Sequence, residues 1–328
     1  MAIQARTEFA AALNQVCAER SIEPEVVLES IKAAIVAAFK KDYGEISDIT
    51  VDLNSATGEV KLLQNSKDIT PSGFGRIAAQ TAKQVILQKI REAEKLSILS
   101  DFAQKVGTVI SAQVVMVVGP LVIVNLGKTE GILPPGERIP TEKYFPNQRM
   151  KFLIKEIKTG PKGEEIVLSR ADPKFIAKLF ETEVPEVAQG SVEIKAIARE
   201  PGVRTKIAVY SEKPGVDPVG SCVGQRGVRV NAVNSEIGEE KIDVIAYNPD
   251  IENFAAAALA PAKEVKVSFN KKTQTAKVKV RQDQLSLSIG KGGTNVRLAS
   301  KLTGVKIDIE PEIAKKEKTE KSQKVNKS

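Results

Sequence analysis

Histidine and tryptophan are absent from these 328 residues, and only two cysteines occur. Without histidine there is no Ser–His or Cys–His nucleophile, and the commonest ligand of zinc and haem is missing. Cys17 and Cys222 lie far apart and match neither a metal nor a disulfide spacing, so both read as small buried residues. A composition so poor in disulfides fits a reducing, cytoplasmic compartment. The start, Met1 to Phe9, is charged and has no apolar stretch of the kind a secretory signal carries. The apolar run Val114–Val124 is interrupted by Gly119-Pro120 and is well short of the ~20 residues a membrane helix needs. It reads as a β-hairpin.

Enzyme-like patterns dissolve on inspection. Gly73-Phe74-Gly75 with Ala78 imitates a dinucleotide-binding fingerprint, but the segment Asp68–Ser72 before it is not a strand. Gly290-Lys291 lacks the glycine five positions earlier that a phosphate-binding loop requires, because Leu285 stands there. The carboxylates show no defensible pairing. The expectation is a protein that is not an enzyme, with no catalytic residue, no metal site and no cofactor.

What is present is positive charge, unevenly placed. Lys+Arg exceeds Asp+Glu by 8, for a pI of about 9.2. The net is −1 over residues 1–105, +3 over 106–170, −2 over 171–248 and +8 over 249–328. So localised an excess points to a polyanionic partner met by part of the molecule. With 42% hydrophobic residues the chain can build several cores, and its length predicts two to four domains.

Periodicity divides it. Phe9, Leu13, Val16 and Cys17 share one helical face. Pro24 opens a second helix carrying Val27, Leu28, Ile31, Ile35 and Phe39. Short strands follow at Ile49–Leu53 and Val60–Leu63. A long helix then runs from about Phe74 to Ala103, its buried stripe made of Ala78, Ala82, Val85, Ile86, Ile90, Ala93 and Leu96. From Val106 the period becomes two, and about five strands in 65 residues suggest a closed barrel of the oligonucleotide-binding type. Single-strand binders of that fold stack bases on aromatics. Here only Tyr144, Phe145 and Phe152 are available, and they serve equally well as core. Asp172-Pro173 starts a short helix.

An internal repeat follows. Val223-Gly224-Gln225-Arg226-Gly227-Val228-Arg229-Val230 matches Ile289-Gly290-Lys291-Gly292-Gly293-Thr294-Asn295-Val296 at an offset of 66. Two alternating strands precede each copy, and a helix and a last strand follow it. A lone GxxG is an ordinary tight turn; two in register inside one repeated α-β-β-α-α-β order are not. Such a loop lets a nucleic-acid backbone approach bare main chain, with the amides of the next helix aimed at phosphate. That is how KH domains hold a short single strand. Residues 311–328, with Lys315, Lys316, Lys318, Lys321, Lys324 and Lys327, read as a disordered lysine-rich tail that solubilises the chain or attracts phosphate without selectivity.

These residues resemble one family. Thr81–Ile86 with Lys89–Glu94 is similar to the long helix of the N-terminal domain of the NusA family of transcription elongation and termination factors. Glu183–Val187, Ile194–Gly202, Arg204–Val209 and Asp217–Val230 resemble its first KH domain. Asp283–Gly290 with Asn295–Ala299 resembles the second. The resemblance implies an α+β multidomain chain: a helix-rich RNA polymerase-binding domain (1–105), an S1 barrel of the OB fold (106–170) and two tandem type II KH domains (171–248 and 249–310). It implies a monomer that docks near the β flap and RNA exit channel of RNA polymerase. There it would hold single-stranded nascent RNA and modulate pausing, termination and, with partner factors, antitermination. Phosphate contacts would fall on Gly224, Gln225, Arg226 and Gly227, and on Gly290, Lys291, Gly292 and Gly293, with Arg229, Asn295 and Arg297 on the adjoining helix starts. Aspartate at Gly224 and Gly290 is then expected to weaken RNA binding without unfolding either domain. The resemblance departs at Val305, where many relatives carry tryptophan, and in the acidic C-terminal repeats that these 328 residues lack. The rival reading is a free-standing S1/KH module in RNA decay or ribosome function.

Overall fold

The computed structural model describes residues 11, 13, 17, 23–44, 47–55, 57–160 and 163–312, and the chain divides into two units, Met1–Gln104 and Lys105–Ser328. In the first unit, α1 (Pro24–Tyr43) begins with proline at its first turn, where the missing N–H costs nothing. It buries Val27, Ile31, Ile35 and Phe39 at four-residue spacing. These meet Phe74, Ala78, Ala82 and Ile86 of α2 (Phe74–Ala103), each full burial contributing roughly 1.5–3 kcal/mol for the larger side chains. The strands β1 (Ile49–Leu53) and β2 (Val60–Gln64) pair antiparallel. A two-residue strand, β3 (Lys67–Asp68), extends them; it is fully exposed and carries no period by which a sequence could show it.

The expected stripe on α2 is correct in its first half and wrong at Leu96, which is 63% exposed, whereas Leu99 and Phe102 are buried. The four buried positions of α1 span about 18 Å of helix axis and the 30 residues of α2 about 45 Å. Past Ile86 the stripe that faces α1 ends, and full burial resumes only at Leu99 and Phe102. Of the expected preceding helix, Leu13 and Cys17 are helical and buried; Phe9 and Val16 lie outside the described residues.

The second unit opens with a closed barrel, in the order β4-β5-β6-β8-β7. Its strands are β4 (Val109–Val118), β5 (Leu121–Asn125), β6 (Glu130–Leu133), β7 (Arg149–Gly160) and β8 (Gly163–Ser169). Gly119-Pro120 turns the β4–β5 hairpin, as the sequence predicts. Phe152 is wholly buried and Tyr144 half-buried, its hydroxyl donating to Glu142 at 2.8 Å; Phe145 is 59% exposed.

The first KH repeat comprises α3 (Pro173–Glu183), α4 (Pro185–Ala188), β9 (Glu193–Glu200), β10 (Arg204–Tyr210), α5 (Pro218–Val223), α6 (Val228–Ile237) and β11 (Lys241–Ala246). The second comprises α7 (Ile251–Ala258), β12 (Lys266–Asn270), β13 (Thr275–Val280), α8 (Leu285–Ile289), α9 (Thr294–Thr303) and β14 (Lys306–Pro311). In both, the middle strand runs antiparallel to the first and parallel to the last. Asp172, Asp217 and Asp250 cap α3, α5 and α7 by accepting main-chain N–H bonds, each such cap contributing about 1 kcal/mol.

The parts of this unit are cemented together. Arg170, at the end of the barrel, is wholly buried; it donates twice to Glu142 and also to Glu236 of α6 at 3.0 Å. Arg199 of β9 makes a bidentate pair with Glu240 at 2.9 Å and donates to the carbonyls of Arg170 and Asp172. Every guanidinium nitrogen of both is hydrogen-bonded, so removing either carboxylate partner leaves a buried charge. The two repeats are stacked. The helices α7 and α9 pack on their own sheet with one face, and with the other on Ala198, Ala208 and Ile245 of the first repeat's sheet. This explains why β10 is buried continuously from Thr205 to Val209, where alternation was expected: it is covered on both faces.

Candidate nucleic-acid interface

Each GxxG segment joins two short-range elements whose directions demand a sharp reversal. The helix α5 ends at Val223, and Gly224 takes φ +74, ψ +171; α8 ends at Ile289, and Gly290 takes φ +74, ψ +169. That region is open essentially to glycine alone. A Cβ on Gly224 would stand 2.9 Å from Cγ of Arg229 and 3.1 Å from its N; on Gly290 it would stand 2.8 Å from Cβ of Asn295 and 2.9 Å from its N. The glycines that close the loops differ. Gly227 (φ +80, ψ +12) and Gly293 (φ +74, ψ +12) are left-handed, but a Cβ there meets nothing closer than Nδ2 of Asn231 at 3.4 Å in the first loop and open space in the second. Aspartate at Gly224 and Gly290 therefore distorts the loop itself, so a loss of RNA binding there would not by itself report on phosphate. At Gly227 and Gly293 a carboxylate meets no such crowding, and its cost is the left-handed strain alone, about 1–2 kcal/mol.

Around this common backbone the side chains part company. Gln225, Arg226, Lys291, Gly292 and Arg297 are exposed, and Arg229 is half-buried. Arg226 and Lys291 have no hydrogen-bond or ion-pair partner among the described residues. Arg229 donates from Nη1 to Glu186 at 2.9 Å and to the Ser221 carbonyl at 2.6 Å. The Glu186 carboxyl is held below its ordinary range, first by its own main-chain N–H and then by Arg229. Arg297 reaches across the repeats to both oxygens of Glu200, at 2.5 and 3.0 Å. Its guanidinium depresses the Glu200 carboxyl.

Asn295 is the correction among the expected contact residues. It is wholly buried, and its Nδ2 lies 3.0–3.1 Å from the carbonyls of Leu259, Leu287 and Ser288. The amide ties the loop to the helix before it and cannot reach a ligand. Sequence reasoning placed it at the surface because its position in the motif equals that of Arg229; only packing separates the two.

The KH mode also implies an apolar wall beside each loop, whose residues the sequence reading did not name. In the first repeat, Gly215–Asp217, Gly220, Ser221, Gly224, Gln225, Val228, Arg229 and Glu186 line an open groove of about 750 Å³. Val228 is 66% exposed on its rim; beside the second loop, Leu287 and Ile289 are exposed. Apolar side chains left in water next to a turn of bare amides make a surface on which bases can lie while the loop takes phosphate. The signal was present at Leu287-Ser288-Ile289, where apolar residues flank a serine that is itself buried. Cys222 is buried between these parts, and burial pushes its thiol up to about 11, so it holds no thiolate for chemistry at neutral pH. Among the described residues no acidic, cysteine or histidine cluster could hold a metal ion, and no helix is long and apolar enough to cross a membrane.

Residues 170–247 match the NusA-like first KH domain, 251–317 the NusA-like second KH domain, and 8–70 with 65–96 the NusA N-terminal domain. The chain is 39% identical to the transcription termination/antitermination protein NusA of Halalkalibacterium halodurans, over 93% of this chain and 88% of that one. To the NusA of Bacillus subtilis it is also 39% identical, over 93% and 91%. The solution structure of the N-terminal domain of the Bacillus subtilis protein shares 30% identity over 28% of this chain and 99% of that one, with a TM-score of 0.25.

Proposed function

The chain belongs to the NusA family of transcription termination/antitermination proteins, which are not enzymes, and from that premise we propose how it acts: it holds single-stranded nascent RNA on its two KH loops while its N-terminal domain engages RNA polymerase near the β flap and RNA exit channel. RNA held there biases the polymerase toward or away from hairpin-stabilised pausing and release, according to the partner factors present. The observation that carries this reading is the pair of loops with matching φ/ψ, each open to solvent, flanked by exposed apolar residues and carrying a cation, Arg226 or Lys291, that pairs with none of the described residues.

The contacts assigned to RNA are Gly224, Gln225, Arg226, Gly227, Gly290, Lys291, Gly292 and Gly293, with Arg229 and Arg297 at the edge, each sharing its charge with a carboxylate. In the test, Gly227→Asp with Gly293→Asp in the full chain lowers affinity for a short single-stranded RNA at least tenfold at physiological salt relative to Gly227→Ala with Gly293→Ala, which carries the same left-handed strain of about 1–2 kcal/mol per site without the charge. Unchanged affinity removes the clamp. Co-purification with RNA polymerase separates this reading from a free-standing RNA-decay or ribosomal module, which would bind RNA and never polymerase. Pause lifetimes measured with and without the protein then give the direction of its effect.

A further inference from the structure

The stacking of the two repeats leaves one sheet face uncovered. On the first repeat's sheet, the face turned toward the second repeat carries Ala196, Ala198 and Glu200 on β9, Arg204, Lys206 and Ala208 on β10, and Lys241, Asp243 and Ile245 on β11. Ala198, Ala208 and Ile245 are buried under α7 and α9, and most of its charges are paired: Arg204 bidentate on Asp243, Lys206 on Asp243 at 3.0 Å, and Glu200 with Arg297 of the second repeat. The strand registers put Lys266, Ser268, Asn270, Thr275, Lys277, Lys279, Lys306, Asp308 and Glu310 at the corresponding places in the second repeat. Lysine stands where Ala196 and Ala208 stand, and glutamate where Ile245 stands. In the described residues nothing packs on this face.

Simple solubility does not account for the pattern. Lys266 lies directly opposite Lys279 in an antiparallel pair, an arrangement that costs stability. Lys271 and Lys272 add two more exposed cations at the β12–β13 turn. Six lysines thus stand on this face and its turn, against Asp308, which lies 3.4 Å from Lys306, and Glu310, with Glu312 occupied by Lys266 at 2.7 Å. They are most of the eleven Lys and Arg residues between 249 and 312, so this face, far more than the GxxG loop, is where the positive charge of the last quarter resides. The chain leaves from β14, the edge strand of the same sheet, into a segment holding six further lysines.

We infer that the outer face of the β12-β13-β14 sheet is a second RNA surface. It holds phosphates electrostatically and without regard to base, separately from the GxxG loops, and takes the RNA that extends beyond them. The loops recognise a short stretch; the sheet adds attraction that grows with RNA length and fades with salt.

The test uses the full chain and oligouridylates of about 10 and 30 nucleotides, with log K followed against log salt. Lys277→Gln with Lys279→Gln and Lys306→Gln lowers the slope for the long RNA by about 2, at ~0.7 for each phosphate no longer neutralised, and lowers its affinity on the order of tenfold at 0.15 M salt. The short RNA is little affected. Gly227→Asp with Gly293→Asp does the reverse, reducing affinity for both lengths while leaving the length dependence. An unchanged slope in the lysine variant, with the loop variant still defective, overturns the second surface and leaves the clamp standing. Loss of binding to an acidic protein partner with no change toward RNA also overturns it. In the unmodified chain, bound long RNA shields the Lys277 and Lys279 amines from an acylating reagent; equal acylation with and without RNA refutes the assignment independently of any variant.

Discussion

In the first loop the third residue is Arg226, at φ +52, ψ +24; in the second it is Gly292, at φ +60, ψ +23. In the first, the residue closing the turn from behind is a half-exposed Arg229 paired with Glu186; in the second it is a buried Asn295 hung on three carbonyls. One backbone is thus supported in two ways. The first loop is held from outside by an ion pair and carries its charge in a left-handed conformation that costs a non-glycine residue about 1–2 kcal/mol. The second is held from within by an amide and takes glycine at the strained position. A loop whose support is exposed can yield to a ligand's phosphate; one whose support is buried is fixed before the ligand arrives.

The largest effect that sharpens this contrast is on stability. Asn295→Ala is expected to destabilise the second repeat by about 2–4 kcal/mol, because it leaves buried carbonyls unpaired, while Arg229→Ala costs about 1 kcal/mol or less. Urea denaturation measures both; equal losses would show that the two supports are equivalent. Next in size, Gly290→Ala drives a Cβ to within 2.9 Å of the Asn295 N and should cost about 1–3 kcal/mol together with RNA affinity. Gly292→Ala, with open space around its Cβ, should cost about 1 kcal/mol. If the two alanines behave alike, crowding at the first glycine is not what shapes the loop.

Smaller again, Arg226→Gly relieves the left-handed residue and should raise stability by about 1 kcal/mol, while RNA binding weakens by one phosphate contact. A variant that loses stability would mean that Arg226 is held by something other than loop geometry. The smallest effect concerns the Arg297–Glu200 pair, which joins the repeats at a solvent-exposed edge. Arg297 depresses the Glu200 carboxyl, so its contribution is present above the ordinary glutamate range and disappears as pH falls through the depressed value. Between pH 7 and about pH 3, Glu200→Gln should abolish a small part of the decline in melting temperature and change nothing else; an unaltered pH profile removes the pair from the interlock.

Much of this was legible in the sequence. The stripe Val27, Ile31, Ile35, Phe39, the proline at the start of α1 and the Gly119-Pro120 hairpin are local patterns, and local patterns survive folding. The repeat at offset 66 was legible for the same reason, since identical turns need identical glycines. Leu96 was misread because the point at which a helix leaves its partner is not written in the helix. The burial of β10 on both faces was invisible because its second cover comes from α7 and α9, some 50 to 90 residues further on.

By itself the sequence determined the helix-rich beginning, the β-barrel, the twofold repeat and the place of both GxxG turns, because each of these depends on residue type and short spacing. Only the tertiary structure decided that Asn295 turns inward while Arg229 turns outward, and that one lysine-bearing sheet is left open while its counterpart is covered. Whether a side chain meets water or protein depends on what packs against it, and here that is a distant part of the chain.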